Sequence, residues 1–478
     1  MTTIEGSNER RGQALAYLVA LAIAAVTSVF LLRIPVQLSD SFSEFQAAAG
    51  NTLGSMLRNE FQAGPYFRPF RRALIKLVYD ASGGSYQLAF RGFQVAQLIV
   101  LVVLVVRALR IRTTFDAAFV PLALAFVLGA HTFAGAILEG LPINHFLTII
   151  ICCAAALNLA QASSSRAVDL AAIGVLVFAM LTIESGLVVA AIFVAAYAVG
   201  YRGVSRPAVV AVVLCVAAYM MGRFFLLGGT TPGLEERSAG FGFRVLEPSE
   251  LVARFGENPW PFYLYNLASA VSSVLFAEPR GGVWAFVQSV VVGRVELWRL
   301  VTVLSSTAVT LMLVVFAVPR LRAWGRLTFR NDADRLVVMF VTVLGANAVF
   351  AYAYEKDAIL GPAGLFFALA GTAVVREFVA DTGARGVGRA LAVPLVLLGV
   401  VGWSIRLVGV HYSLQVRELT TRNEWAFSAD WQGNSTSEAL PPDEERIRRA
   451  LWRAGIAGAR TVREFRSSVP EALFDTTQ

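Results

Sequence analysis

Four residues in this chain carry chemistry that an apolar background does not explain: Asp40, Arg68, Arg223 and Lys356. A carboxylate near a membrane surface can take a proton from a hydroxyl. A guanidinium can hold a phosphate through two parallel hydrogen bonds, and an ammonium can neutralise it as a point charge. Arg68 sits between aromatics in "YFRPF", just before Pro69, a residue suited to the first turn of a helix because its missing N–H costs nothing there. Arg223 lies about one turn inside the end of an apolar run, where a charge is costly unless it is paired or faces a cavity. Lys356 is one of two lysines, with Lys76, in a chain whose other basic residues are all arginine. Each has a plainer reading. Asp40 can cap a helix starting near Ser41, Arg223 can snorkel to the interface, and Lys356 can pair with Glu355 or Asp357.

A second tier could support these four. Glu184 interrupts an apolar stretch in "LTIESGL", where it can pair with Arg223, orient a site or cap the next helix. Tyr66 and Arg72 flank Arg68 in "YFRPFRRALIKLVYD", and Glu44 follows Asp40 by one helical turn. Arg71 and Lys76 suit a surface helix that meets anionic headgroups. His145, Trp260 and Tyr263 could touch a sugar or an acceptor, although such aromatics more often anchor a helix at the interface. Asp40 and Glu44 alone are too thin a basis for a metal, so no cofactor is expected.

The elements that must position these residues are membrane spans. Only 15% of residues are charged against 56% hydrophobic, and mean hydropathy is +0.63. Soluble domains carry about a quarter charged residues, so the pattern is that of an all-α polytopic membrane protein. The net charge of +8 then reflects loop arginines and not nucleic acid. The cysteines Cys152, Cys153 and Cys215 lie in apolar runs and read as packing residues.

Apolar runs at 14–32, 87–106, 115–134, 146–160, 168–182, 186–200, 207–227, 297–318, 335–353, 358–375 and 389–409 predict about eleven spans. The stretch 168–200 divides at "TIESG" because one helix of that length would be about 50 Å long, too long for a bilayer. Arg10 and Arg11 ahead of the first run predict an uncleaved anchor with a cytosolic N-terminus. Arginine-rich loops then alternate with outer segments 34–86, 135–145, the Glu184 turn, 228–296, "YAYEKDA" and a tail, 410–478. The spans read as nearly free of charge. A polytopic domain, 1–409, is followed by an extracytoplasmic tail whose "DEERIRRALWRAGIAGARTVREF" forms an amphipathic helix docked on the outer loops.

In the first outer loop, Phe42, Phe45, Ala49, Leu53, Met56, Leu57 and Phe61 recur at helical spacing, as do Phe70, Leu74, Leu77 and Val78. These predict two amphipathic helices lying on the outer membrane surface.

The order of one span, an Asp, two surface helices and "YFRPF" resembles the membrane-integral glycosyltransferases of the C-type superfamily, GT-C, in the branch with a Tyr-Arg-Pro-Leu-like motif related to protein O-mannosyltransferases. "LTIESGL" is similar to that branch's Lys-Glu-Ser/Thr-Ala/Gly turn, with Thr182 in place of Lys. "YMMGRFFLLGG" is similar to its Tyr-x-x-x-Arg segment, at Tyr219 and Arg223. "YAYEKDAILGPAGLFFAL" resembles its Glu-Arg-Tyr-x-Tyr-x-Pro segment, with Lys356 for Arg and Ala358 for Tyr. The resemblance implies a sugar donor on a polyprenyl phosphate, an acidic base in the first outer loop and cations on the lipid phosphate. That assigns Asp40 as base and Arg68, Arg223 and Lys356 as phosphate ligands.

The expectation is therefore a glycosyltransferase of a bacterial inner membrane. It would move a sugar from polyprenyl phosphate to a glycan, lipid or protein acceptor on the extracytoplasmic side. The rivals are a lipid-linked sugar flippase or transporter and a non-catalytic scaffold of surface-glycan assembly.

Overall fold

The computed structural model describes residues 2–37, 39–61, 67–138, 145–229, 233–279, 284–353, 357–380, 387–432 and 442–456. It is 81% helical, and seven helices are long and apolar enough to cross a membrane, or eight if one bent pair counts as a span. A two-stranded antiparallel hairpin, β1 (Ala239–Phe241) and β2 (Arg244–Leu246), is the only sheet among the described residues.

The chain enters through α1 (Thr2–Arg33). Three short helices follow, α2 (Ser39–Gly50), α3 (Leu53–Glu60) and α4 (Pro69–Ala81). The apolar spacing over 41–61 predicts one helix, but the chain breaks at Asn51–Thr52. Thr52 takes an extended conformation and caps α3 by accepting from the Ser55 N–H. Pro69 does open α4.

The bundle proper runs α5 (Tyr86–Ala108), α6 (Thr114–Ala117), α7 (Val120–Leu128), α8 (His131–Leu138), α9 (His145–Gln161), α10 (Arg166–Thr182), α11 (Val188–Ala198) and α12 (Arg206–Met221). The run predicted at 115–134 is not straight: the chain turns by 71° between α7 and α8. The division of 168–200 is found where expected, with a 3₁₀ turn, Glu184–Leu187, between α10 and α11.

The segment 228–296 holds more than a loop. After the hairpin come α13 (Pro248–Phe255), α14 (Trp260–Phe276) and α15 (Ala285–Val292). α14 buries Asn266, Ser269, Ala270, Ser273 and Val274, and Ala270 and Val274 belong to the main bundle core. The loop therefore sends a helix into the bundle. α16 (Leu297–Ala317), α17 (Leu321–Trp324), α18 (Asp332–Phe350), α19 (Gly361–Ala380), α20 (Val387–Gln432) and α21 (Pro442–Ile456) complete the order.

α19 is the centre: every residue from Gly361 to Val375 is buried. Without water to drive apolar surfaces together, membrane helices pack by close approach through small residues. Gly364 faces Thr132, Gly371 faces Val309 and Phe126, and along α20 Gly402 faces Ser305 while Gly409 faces Trp298. A Cβ at Gly409 would fall 2.2 Å from the Trp298 ring. Gly409→Val should therefore pry α20 from α16 at a cost of about 1–3 kcal/mol, read as a lower unfolding temperature in detergent.

α20 also runs past residue 409, where the sequence pattern ends the last span. Beyond that point Arg422 donates to the Arg33 carbonyl at 2.8 Å and Trp425 to the Val36 carbonyl at 2.7 Å. α21 packs its Ile447 and Leu451 with Phe45, Ala48, Ile75, Tyr86, Phe90 and Trp425. The tail helix and the first-loop helices thus share one small apolar core at the end of the bundle.

Candidate functional site

Three distant stretches meet at this end. Thr182 closes α10, its hydroxyl donating to the Phe178 carbonyl at 2.7 Å, and Ile183 turns the chain extended. The turn that follows lies so close to α10 that a Cβ on Gly186 would sit 2.3 Å from the Ala179 oxygen. Only glycine allows that approach, and it holds Glu184 at the mouth of the turn. Arg223 is carried by a π turn, Gly222–Leu226, at the end of α12. Such single-turn π bulges often occur at functional sites. Gly229 folds back over it, donating to the Arg223 carbonyl at 2.8 Å.

Arg68, the residue before α4, donates from Nε and Nη2 to Glu184 at 2.8–3.2 Å. Arg223 Nη1 lies 3.3 Å from the other side of the same carboxylate and 3.4 Å from the Tyr219 hydroxyl. Among the described residues two guanidiniums thus share one carboxylate, at a place where Arg68 and Glu184 are 24% and 22% exposed. The arrangement can attract an anion from outside while the shared carboxylate fixes both cations.

A second set adjoins it. The Arg68 backbone N–H donates to Glu60 at 2.8 Å, and the other oxygen of Glu60 accepts from Arg72 at 3.0 Å. Arg72 also bonds Glu44, whose second oxygen accepts from Arg71 at 2.7 Å. Burial holds the Arg71 guanidinium below its ordinary pKa, Glu44 opposes that shift, and the charges of Arg72 and Arg68 add to it.

These pairs correct the headgroup reading of Arg71 and Lys76. Arg71 and Lys76 are both 9% exposed; Arg71 is held by Glu44, and Lys76 by Asp80 at 2.6 Å. Neither faces headgroups. α4 is gripped between α2, α3, α5 and α10, with Phe70 stacked on Phe178. Both oxygens of Glu44 serve arginines, so a metal shared with Asp40 would have to displace them.

Asp40 lies in the first turn of α2; its side chain falls outside the described residues, as do Tyr66 and Lys356. His145 is buried at the start of α9 against Phe146, with ring centroids 4.4 Å apart. Trp260 and Tyr263 join another cluster: Trp260 is 68% exposed and meets Tyr263 edge-on, and Tyr263 meets Tyr352 at 4.9 Å. The structure thus brings together Arg68, Glu184 and Arg223, and beside them Glu44 and Arg72. It sets the aromatic pair elsewhere.

A cavity of about 610 Å³, with charged and polar groups set in a mostly apolar wall, was not foreseen from sequence. Its wall includes His131 at the α7–α8 bend, Asp357, Glu278 and Arg406. The Ser273 hydroxyl lies 2.7 Å from His131 Nε2 and donates to Asp357 at 3.2 Å. Serine stands between the histidine and the carboxylate, the reverse of a nucleophile triad, in which the histidine bridges. Glu278 accepts from the Phe286 and Val287 N–H groups and so caps α15. The charge-free reading of the spans also fails: Arg91 and Arg406 are 5% and 1% exposed within the helices of the bundle. An arginine in the middle of "GWSIRLVG" was the available signal.

Compared with known proteins, the chain matches no family model, no curated protein and no solved structure.

Proposed function

We propose that the protein is a membrane glycosyltransferase of GT-C type, moving a sugar from a polyprenyl-phosphate donor to an acceptor at the outer face of a bacterial inner membrane. The observation that supports the reading most is the convergence of Arg68 and Arg223 on Glu184. Those residues belong to three of the four stretches that resemble the superfamily. Their meeting requires the first loop, the Glu184 turn and the end of α12 to share one side, as the eleven-span arrangement with a cytosolic N-terminus demands. In this reading Arg68 and Arg223, with Lys356, neutralise the phosphate as it leaves, and Asp40 takes the acceptor's proton while the anomeric carbon gains oxocarbenium character. Glu184 holds both arginines in place.

A lipid-linked sugar carrier is the second reading, favoured by one observation: ionisable residues inside a membrane bundle mark ligand paths, and Arg406 lines a cavity. Asp40→Asn separates the two. Measured as sugar release from the lipid donor in membranes, transfer should fall at least about 100-fold with donor binding retained. A carrier would keep its transport rate. An unchanged surface glycome in a strain lacking the gene, under conditions where it is expressed, would remove the transferase reading.

A further inference from the structure

The wall of the 610 Å³ cavity contains a repeating stripe of α20: Arg406, Val410, Ser413, Arg417 and Thr420. The spacing of four, three, four and three keeps these residues on one helical face, about 21 Å long. At its inner end Arg406 is 1% exposed. Its Nε donates to the Gly129 carbonyl at 2.9 Å, and its Nη1 to Thr302 O, Ser305 Oγ and Ser306 Oγ, the last at 2.7 Å. The Trp403 ring lies 3.7 Å from the guanidinium carbon. Every one of these partners is neutral. Among the described residues no carboxylate pairs with Arg406, and its Nη2 has no acceptor.

A buried cation served only by neutral groups is costly, and the cost falls when an anion joins it. Arg417, three turns along the same stripe, has no hydrogen bond or ion pair among the described residues. The carboxylates on the wall are engaged elsewhere, Glu278 at the start of α15 and Asp357 with Ser273. Val303, Phe286, Trp298, Val410 and Val416 supply apolar wall to the same cavity. A phosphate suits the remaining Nη2 of Arg406 better than a hydroxyl or amide, because a hydrogen bond between two charged groups is roughly twice as strong as a neutral one.

We propose that this cavity binds a phosphate-bearing amphiphile, with the phosphate on Arg406 Nη2 and the apolar part against Phe286, Trp298, Val303 and Val410. This cavity shares no wall residue with the Arg68–Glu184–Arg223 cluster, and the proposal does not depend on sugar transfer. A lipid headgroup and free phosphate share this chemistry.

The test uses the full chain in detergent, titrated with dioleoylphosphatidic acid, dioleoylglycerol or inorganic phosphate and followed by native mass spectrometry and thermal shift. The expected result is phosphatidic acid bound at least about tenfold more tightly than dioleoylglycerol. Arg406→Gln and the groove-filling Val410→Trp should each weaken it by about tenfold or more, and Arg417→Gln by less. Should inorganic phosphate bind as well as the lipid, with the same sensitivity to Arg406→Gln, the ligand is a soluble phosphate and the anion site stands. If Arg406→Gln does not fold, Val410→Trp and Arg417→Gln carry the test. Equal binding of dioleoylglycerol, no binding of either anion, or affinity unchanged in the folded variants would overturn the proposal.

Discussion

Glu44→Ala should destabilise the protein by about 3–5 kcal/mol, the cost of stripping the partner from a buried charge. Glu44 is 7% exposed, and its two oxygens serve Arg71 and Arg72. Arg72 keeps Glu60 at 3.0 Å after the change, but Arg71, itself 9% exposed, loses its carboxylate. Its Nε is already buried without an acceptor, so the guanidinium cannot recover by turning. The helices most affected are α2 and α4, and α21 with them, because Phe45 on α2 and Ile75 on α4 share a core with Ile447 and Leu451. Thermal unfolding in detergent reads the loss, and limited proteolysis should show the first loop and α21 released together. The double variant Glu44→Ala with Arg71→Met should recover much of the stability, since an apolar pair of similar volume often replaces a buried ion pair without loss. If the single variant melts like the wild type, the pair is not what holds α2 to α4.

This network was only half legible in the sequence. The residues that announced themselves were charges in apolar surroundings: Glu184 inside a hydrophobic stretch, Arg223 near the end of a span, Arg68 between aromatics. Their isolation is a physical signal, because burial forces such groups to find partners. Glu60 gave no such signal. It lies among polar residues, and only the fold shows that it bridges the Arg68 backbone and Arg72. Spans were readable for the same reason: the bilayer imposes length and composition, so α5, α16 and α18 start and stop near where apolar content does.

What the sequence hid was produced by packing. α14 is 17 residues long and carries Asn266, Ser269 and Ser273 on its buried face, so its pattern is that of a polar-flecked loop helix. Those polar groups are spent inside the bundle: Asn266 donates to the Tyr352 carbonyl at 2.8 Å, and Ser273 bridges His131 and Asp357. The continuation of α20 past residue 409 was masked by the fall in hydropathy there. The helix persists because Arg422 finds the carbonyl of the last α1 residue, Trp425 finds the Val36 carbonyl just beyond it, and Ile447 packs in the same core as Trp425, which are tertiary causes. The break between α2 and α3 shows the converse. The apolar period runs straight through it, but Thr52 offers its hydroxyl to the Ser55 N–H and a local cap outweighs the period.

Arg68→Lys should lower the proposed sugar transfer about 100-fold while leaving stability within about 1 kcal/mol of wild type. The reasoning turns on the difference between charge and shape. A lysine at position 68 keeps the charge and can still meet the Glu184 carboxylate, so neither partner is left unpaired. What lysine cannot do is present a planar fork to two oxygens, or hold one orientation against Glu184 as Nε and Nη2 do together. A developing phosphate charge is stabilised by donors already aimed at it, so lost orientation appears in kcat more than in KM. A purely structural salt bridge predicts the reverse pattern, a lower unfolding temperature with the rate per folded molecule unchanged. Comparing Arg68→Lys with Glu44→Ala in the same membranes therefore tells the two kinds of arginine apart: one should lose turnover and keep its fold, the other should lose its fold and keep turnover in whatever fraction survives.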